Sequence, residues 1–161
     1  MSWISPRDEH FMQEALRLAQ EAAAEGEVPV GAVVVRDDTI LGTGRNRRER
    51  EGDALAHAEV EAIREACRAV GDWRLSGCEL YVTLEPCPMC AGAIVNARLD
   101  RVVYGAADAD NGAVGSVIHL FEMPFGHRPR VTAGVSEEAC SAALSAFFRR
   151  LREPEKGENR L

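Results

Sequence analysis

Two short stretches carry residue types that do chemistry together: His57-Ala58-Glu59, and Glu85-Pro86-Cys87-Pro88-Met89-Cys90. A neutral imidazole and two thiolates are good zinc ligands. Three protein ligands leave the fourth tetrahedral position to water, which marks a catalytic rather than a structural zinc. On this reading His57, Cys87 and Cys90 hold one Zn2+ per subunit, and Glu59 is the proton carrier beside the water. Zinc lowers the pKa of such a water toward about 7. Glu59 would then take up its proton and hand it on.

Each stretch alone has a blander explanation. His-x-Glu occurs by chance in helices. Cys87-Pro88-Met89-Cys90 is similar to the Cys-Pro-x-Cys of glutaredoxin-like dithiol proteins, in which both thiols cycle to a disulfide. A structural zinc would need a fourth ligand, from Cys67, Cys78, Cys140 or another histidine. The two stretches taken together favour the open metal site.

The scaffold that must bring them together is bounded by composition. A chain of 161 residues suits one domain with a full core, expected over 1–153, with a polar, disordered tail at 154–161. Apolar residues make up 46% and charged residues 28%, as in an ordinary globular protein. No run approaches the roughly 18 apolar residues of a membrane span. The opening Met1-Ser2-Trp3-Ile4-Ser5-Pro6 lacks the basic-then-apolar layout of a signal peptide. Five cysteines, two of them in a tight pair, suit metal or redox use in a reducing compartment; the cytoplasm is expected, with no membrane partner. A net charge of −7 argues against broad, non-specific nucleic-acid binding. Positive charge gathers at Arg45, Arg47, Arg48 and Arg50, and again at Arg149, Arg150 and Arg152. Composition alone reads both clusters as solvated surface.

Ser5-Pro6-Arg7-Asp8 starts a helix that carries Phe11, Ala15, Leu18, Ala19 and Ala22 at helical spacing and stops at Gly26. Val28 to Val35 and Thr39 to Gly44 predict a hairpin, and Arg45 to Asp53 a polar loop holding Asn46 off a strand end. The composition from His57 to Val70 is helical, closing at Gly71. Positions two apart do not share a helix face, so His57 and Glu59 can serve one site only if His57 lies at the helix entry. Leu80 to Leu84 predicts a central strand, Pro88 to about Ala97 a helix, and Arg101 to Ala106 a fourth strand. A Gly-rich loop follows from Asp108 to Gly115, then a short helix near Ser116 to Phe121. Arg130 to Val135 predicts a fifth strand. Ser136 is expected to cap a last helix with a stripe of Cys140, Leu144, Phe147, Phe148 and Leu151. This order implies a three-layer α/β/α fold around one five-stranded mixed sheet, with sites at strand ends and helix N-termini.

His-x-Glu followed by Pro-Cys-x-x-Cys is the signature of zinc nucleobase deaminases. Over about residues 7 to 152 the sequence closely resembles the bacterial tRNA-specific adenosine deaminases, of the cytidine deaminase-like superfamily. The matching words include Val28-Pro29-Val30-Gly31-Ala32-Val33, Asn46-Arg47, Ala56-His57-Ala58-Glu59, Leu80-Tyr81-Val82-Thr83-Leu84-Glu85-Pro86-Cys87 and Phe147-Phe148-Arg149. The resemblance implies conversion of the wobble adenosine of a tRNA anticodon stem-loop to inosine, by a homodimer with sites near the interface. It implies that Val28, Asn46, Ala58 and Pro86 line a base pocket. Leu84, Glu85 and Asp108 would border a flipped-out nucleotide, and Phe148, Arg149 and Arg150 would meet the anticodon loop. Two departures stand out. Asp53-Ala54-Leu55 replaces the family's usual Asp-Pro-Thr, and Gly126 precedes His127-Arg128 where an Asn is usual. Deamination of a free purine such as guanine, or of a pyrimidine nucleoside, stays open as the alternative.

Overall fold

A computed structural model describes residues 4–153. The segment 154–161, read from sequence as a disordered tail, lies outside the described residues.

Helix α1 (Pro6–Ala24) starts as its sequence dictates: Ser5 Oγ accepts the Asp8 N–H at 3.0 Å and Pro6 occupies the first turn. Its apolar face (Phe11, Met12, Ala15, Ala19) is buried. Strands β1 (Gly31–Arg36) and β2 (Thr39–Arg45) form the hairpin, followed by a single helical turn α2 (Arg48–Glu51) and helix α3 (Ala58–Val70). Strand β3 (Cys78–Leu84), helix α4 (Pro88–Asn96) and strand β4 (Arg101–Ala106) make a β-α-β unit. Strand β5 (Arg130–Ala133) and helix α5 (Glu137–Arg152) complete the chain.

The five strands lie in the order β2-β1-β3-β4-β5. Antiparallel pairs join β1 to β2 and to β3, while β3, β4 and β5 run parallel. The sheet is therefore mixed, and the parallel half needs the crossover that α4 supplies. Strand residues alternate between two cores. Ala32, Val34, Leu80, Val82 and Val102 face α3 and α4, meeting Ala62, Ala66 and Ile94. Val33, Val35, Tyr81 and Val103 face α1 and α5, meeting Phe11, Met12, Ala15 and Cys140. This is the three-layer α/β/α architecture around a five-stranded mixed sheet that the order of elements implied.

Helix α3 sits unusually close to β2. A side chain at Gly42 would meet the Ala62 carbonyl, and one at Gly44 the Ala58 carbonyl. Two glycines thus let the backbone of α3 rest on the strand, and that contact fixes the depth of His57 and Glu59 at the helix start.

Five local expectations are corrected. Strand β1 begins at Gly31 rather than Val28: Pro29 has no N–H for a ladder, and Val28 to Val30 turns back on itself through a Val30 N–H to Val28 carbonyl bond of 2.8 Å. The polar loop contains α2, closed by Gly52 at φ 56°. The helix expected from Ser116 shrinks to a 3-10 turn at Leu120–Glu122, because the preceding backbone is held by Glu85. Ser136 stands at the start of α5 with φ 55° and its side chain makes no capping bond. In α5 itself Cys140 and Phe147 are buried, but Phe148 and Leu151 are 42% and 66% exposed. The stripe read as packing is therefore split between core and surface. Of the other cysteines, Cys78 and Cys140 are buried; Cys67 is only partly so, its thiol facing the Trp73 carbonyl at 3.6 Å.

Candidate active site

The site lies at the end of β3, where two helices begin. His57 is the N-cap residue of α3, with extended backbone (φ −83°, ψ 150°), and Cys87 is the N-cap residue of α4 (φ −74°, ψ 173°). Neither side chain caps its own helix. Both are turned instead toward each other. Pro88 opens α4, and Cys90, one turn in, is fully buried. The non-helical backbone at His57 answers the spacing problem: it lets His57 and Glu59 face one point although they are two residues apart.

His57 Nδ1 lies 3.6 Å from Cys87 Sγ and 3.6 Å from Cys90 Sγ, and the three ligand atoms lie within 4.8 Å of one another. Tetrahedral zinc with Zn–N near 2.1 Å and Zn–S near 2.3 Å requires an N···S separation of about 3.6 Å. The donor set therefore fits zinc in both chemistry and spacing. Cys67, Cys78 and Cys140 do not join the cluster, which leaves the fourth position open and removes the structural-zinc arrangement.

The electrostatics suit a cation. Cys87 is pushed down to about 4, first by its hydrogen bond with Cys90 and then by His57, while Cys90 is held up by that same bond with Cys87 and by burial. His57 is raised, chiefly by its hydrogen bond to Cys87. The N-terminal ends of α3 and α4 add positive potential that favours thiolates. Glu59, in the first turn of α3, is 4% exposed, and burial raises its carboxyl to about 7. A carboxyl poised there can both take and give a proton near neutral pH.

This cluster floors a cleft of about 430 Å³, within the range of small-ligand sites. Val28, Asn46, Ala58, Leu84, Asp108 and Phe148, all singled out from sequence, contribute to its wall. Asn46 is buried at the strand end: its amide oxygen accepts the Arg48 N–H at 3.0 Å, and its Nδ2 donates to the Val28 carbonyl at 3.4 Å. Three sequence-derived candidates lie elsewhere. Pro86 is off the wall and holds the next loop through its carbonyl, which accepts the Ala113 N–H at 2.9 Å. Arg149 and Arg150 are exposed near the end of α5, beyond the wall formed by Leu144 and Phe148.

Glu85 borders the cleft, but its carboxylate is committed to the loop after β4. It accepts the N–H groups of Asp108 (3.1 Å), Val114 (3.2 Å) and Ser116 (3.1 Å), and the Ser116 hydroxyl. Burial alone would raise this carboxyl; the Ser116, Asp108 and Val114 donors outweigh burial and hold it below the ordinary range. Gly112 packs directly against it. Glu85 thus shapes the loop that presents Asp108, Asp110 and Asn111 to the cleft.

Sequence reading passed over Val30, Arg48, Asp110, Asn111 and Leu144, which also line the cleft. Leu144 was within reach, one helical turn before Phe148 on the same face. Arg48 was hidden in a cluster read as solvated. The two departures also find their places. In Asp53-Ala54-Leu55, Asp53 Oδ1 accepts the Leu55 N–H at 2.8 Å, so an Asx turn stabilises the approach to His57. Gly126 lies in an exposed loop whose His127 faces the Leu99 carbonyl at 2.7 Å.

Residues 5–106 match the cytidine and deoxycytidylate deaminase zinc-binding region. The sequence is 50% identical to the tRNA-specific adenosine deaminase of Bacillus subtilis, over 93% of this chain and 94% of that one. A solved structure from work on A-to-I editing by tRNA:A34 deaminases at the wobble position superposes with TM-score 0.81 at 46% identity, covering 84% of this chain and 99% of that chain. The guanine deaminase of Bacillus subtilis is more distant, with TM-score 0.61 and 36% identity over 93% of this chain and 97% of that one.

Proposed function

This chain belongs to the zinc-dependent tRNA-specific adenosine deaminases of the cytidine deaminase-like superfamily, and from that premise we propose how its own residues perform the reaction. It is a hydrolase that deaminates adenosine in tRNA, and the substrate we assign is the wobble adenosine of an anticodon stem-loop. One observation carries the chemistry: a His57-Cys87-Cys90 triad at zinc spacing, beside a buried Glu59, on the floor of a cleft of about 430 Å³; the likeness to tRNA-specific adenosine deaminases supports the substrate.

His57, Cys87 and Cys90 would hold the zinc, which when bound would supply a water of lowered pKa. Glu59 would accept a proton from water and deliver it to the ring nitrogen next to the amine-bearing carbon. It would then take the second proton of the same water and hand it to the leaving amine, which departs as ammonia. The carbon–nitrogen bond to the amine breaks as a carbon–oxygen bond forms, so adenosine and water become inosine and ammonia. The burial that raises Glu59 suits it to this double duty, since the group must exchange protons in both directions near pH 7.

The remaining residues bind and orient. Val28, Ala58 and Leu84 form apolar walls for a flat base, and Asn46 offers its amide at the mouth. Asp108, set by the Glu85-held loop, and Phe148, exposed on α5, border the nucleotide, with Pro86 behind them. Arg149 and Arg150 continue from Phe148 and suit contact with the loop backbone. A single-stranded anticodon loop keeps the cost of unstacking the target base small. Exposed Val117, Ile118, Met123 and Phe125 support a homodimer. Among the described residues no helix is long and apolar enough to cross a membrane; we assign the protein to the cytoplasm, where tRNA is found.

The test is a deamination assay with zinc measured on the same sample, offering an anticodon stem-loop with adenosine at the wobble position beside free adenosine, guanine and cytidine. Inosine in the stem-loop alone is the expected result. Turnover of guanine or cytidine alone would keep the zinc chemistry and overturn the substrate.

A further inference from the structure

The cleft is acidic where a polynucleotide would enter. Asp108 and Asp110 border it, while Glu59 lies on its floor and Glu85 is committed to the loop, and the chain carries a net charge of −7. A base offered within a strand brings a phosphodiester on either side, and phosphate contacts are what position a nucleic acid on a protein. Among the described residues that line the cleft, Arg48 is the one lysine or arginine.

Its neighbours are engaged elsewhere. Arg45 pairs with Glu25 at 2.7 Å, Arg47 lies 3.4 Å from Glu51 and 3.6 Å from Glu61, and Arg50 pairs with Glu25 at 2.9 Å. The Arg48 side chain is exposed and makes no ion pair or hydrogen bond among the described residues. Its backbone is nonetheless fixed, because its N–H donates to Asn46 Oδ1 at 3.0 Å. The residue is thus tied to the mouth of the base pocket while its guanidinium stays unused.

We propose that Arg48 binds the phosphodiester adjoining the deaminated adenosine, so that the cleft takes a nucleotide within a strand in preference to a free base. This rests on the tRNA reading above. A guanidinium can meet two phosphate oxygens at once, and one such contact on an acidic rim decides where the backbone lies.

The experiment compares wild type, Arg48→Ala and Arg48→Lys on the anticodon stem-loop. It is repeated on two stem-loops carrying a neutral methylphosphonate 5′ or 3′ of the target adenosine. Arg48→Ala should raise KM about tenfold, the scale of one lost charge-assisted hydrogen bond, with the loss falling on KM rather than kcat. It should also flatten the salt dependence of log KM by about 0.7, one single-strand phosphate's worth. Arg48→Lys should recover part of the loss. One of the two methylphosphonates should raise the wild-type KM by the same factor and leave Arg48→Ala unaffected, since contacting groups do not add. Zinc content should be equal in all three proteins. An unchanged KM in Arg48→Ala, losses that add to those of both methylphosphonates, or a loss that tracks missing zinc would each overturn the proposal. A wild type that leaves the unmodified stem-loop untouched overturns the substrate reading itself, before any variant is compared.

Discussion

The two ends of strand β3 bury charge in opposite ways. At its start, Glu79 and the neighbouring Asp8 are met by guanidinium groups: Arg101 lies 2.6 Å from each, and Arg7 lies 2.9 Å from Glu79. The Tyr81 hydroxyl donates to Asp8 at 2.7 Å and accepts from Arg7 at 2.9 Å. Burial alone would raise Asp8; its bonds to Arg101 and Tyr81 win and hold it low. At the other end Glu59 is equally buried, has no guanidinium pair among the described residues, and is raised to about 7. One end locks α1, β3, β4 and β5 together with satisfied charge. The other leaves a carboxyl free to exchange its proton. The same residue type serves stability or chemistry according to whether a cation has been placed against it.

The contrast can be broken from either side. Glu59→Gln should lower kcat by about a thousandfold or more, within the range expected for losing a general acid–base group, while zinc content and thermal midpoint stay near wild type. Rapid-quench turnover with metal analysis on the same protein checks this, and a near-normal rate would mean that the proton travels by another route. At the opposite end Arg101→Met should leave the reaction's rate constant unaltered in folded protein but destabilise the fold by about 3 kcal/mol or more, because it strands Asp8 as a buried charge without its guanidinium, while Glu79 keeps Arg7. Urea unfolding gives the number; a loss below about 1 kcal/mol would show that water reaches the cluster. Glu85→Gln sits between the two cases. It keeps the shape of the side chain and weakens its acceptor oxygens, so the amides of Val114 and Ser116 should exchange faster and KM should rise severalfold with zinc retained.

The smallest expected effect concerns pH. The folded-state pKa of Asp8 lies below its unfolded value of about 3.8, so the unfolded chain binds more protons in that range. Stability from this group is present above about pH 3.8 and is lost as pH falls through the folded value. Acid unfolding of wild type and Arg101→Met should therefore converge at low pH, where Asp8 is protonated in both. Curves that stay parallel would show that the pair contributes nothing through titration.

Much of this arrangement was legible before any coordinates, for local reasons. Ser5-Pro6 announces a helix start, Gly71 a helix end, and the spacing of His57 and Glu59 requires non-helical backbone at the histidine. Each depends on a few adjacent residues. The parts that were not legible depend on distant ones. Glu85 looked like a residue at the cleft border, and nothing near it in sequence says that Asp108, Val114 and Ser116 would bring their donors to it. The Arg45–Arg50 run reads as uniform surface charge until Glu25, Glu51 and Glu61 arrive and leave Arg48 apart. Phe148 has the spacing of a core residue, and only the roll of α5 against the sheet turns it out toward the cleft.

The placing of His57 and Cys87 as caps of two separate helices has a consequence for the order in which the molecule matures. Neither helix alone carries a complete grip on the metal. Cys87 and Cys90 come with α4, but His57 arrives only when α3 has settled on Gly42 and Gly44 and both helices have docked across β3. A chain with either helix astray can offer two ligands at most from one side and one from the other. Tight metal uptake therefore inspects the finished half of the sheet, and a newly made chain becomes reactive only once that half has passed.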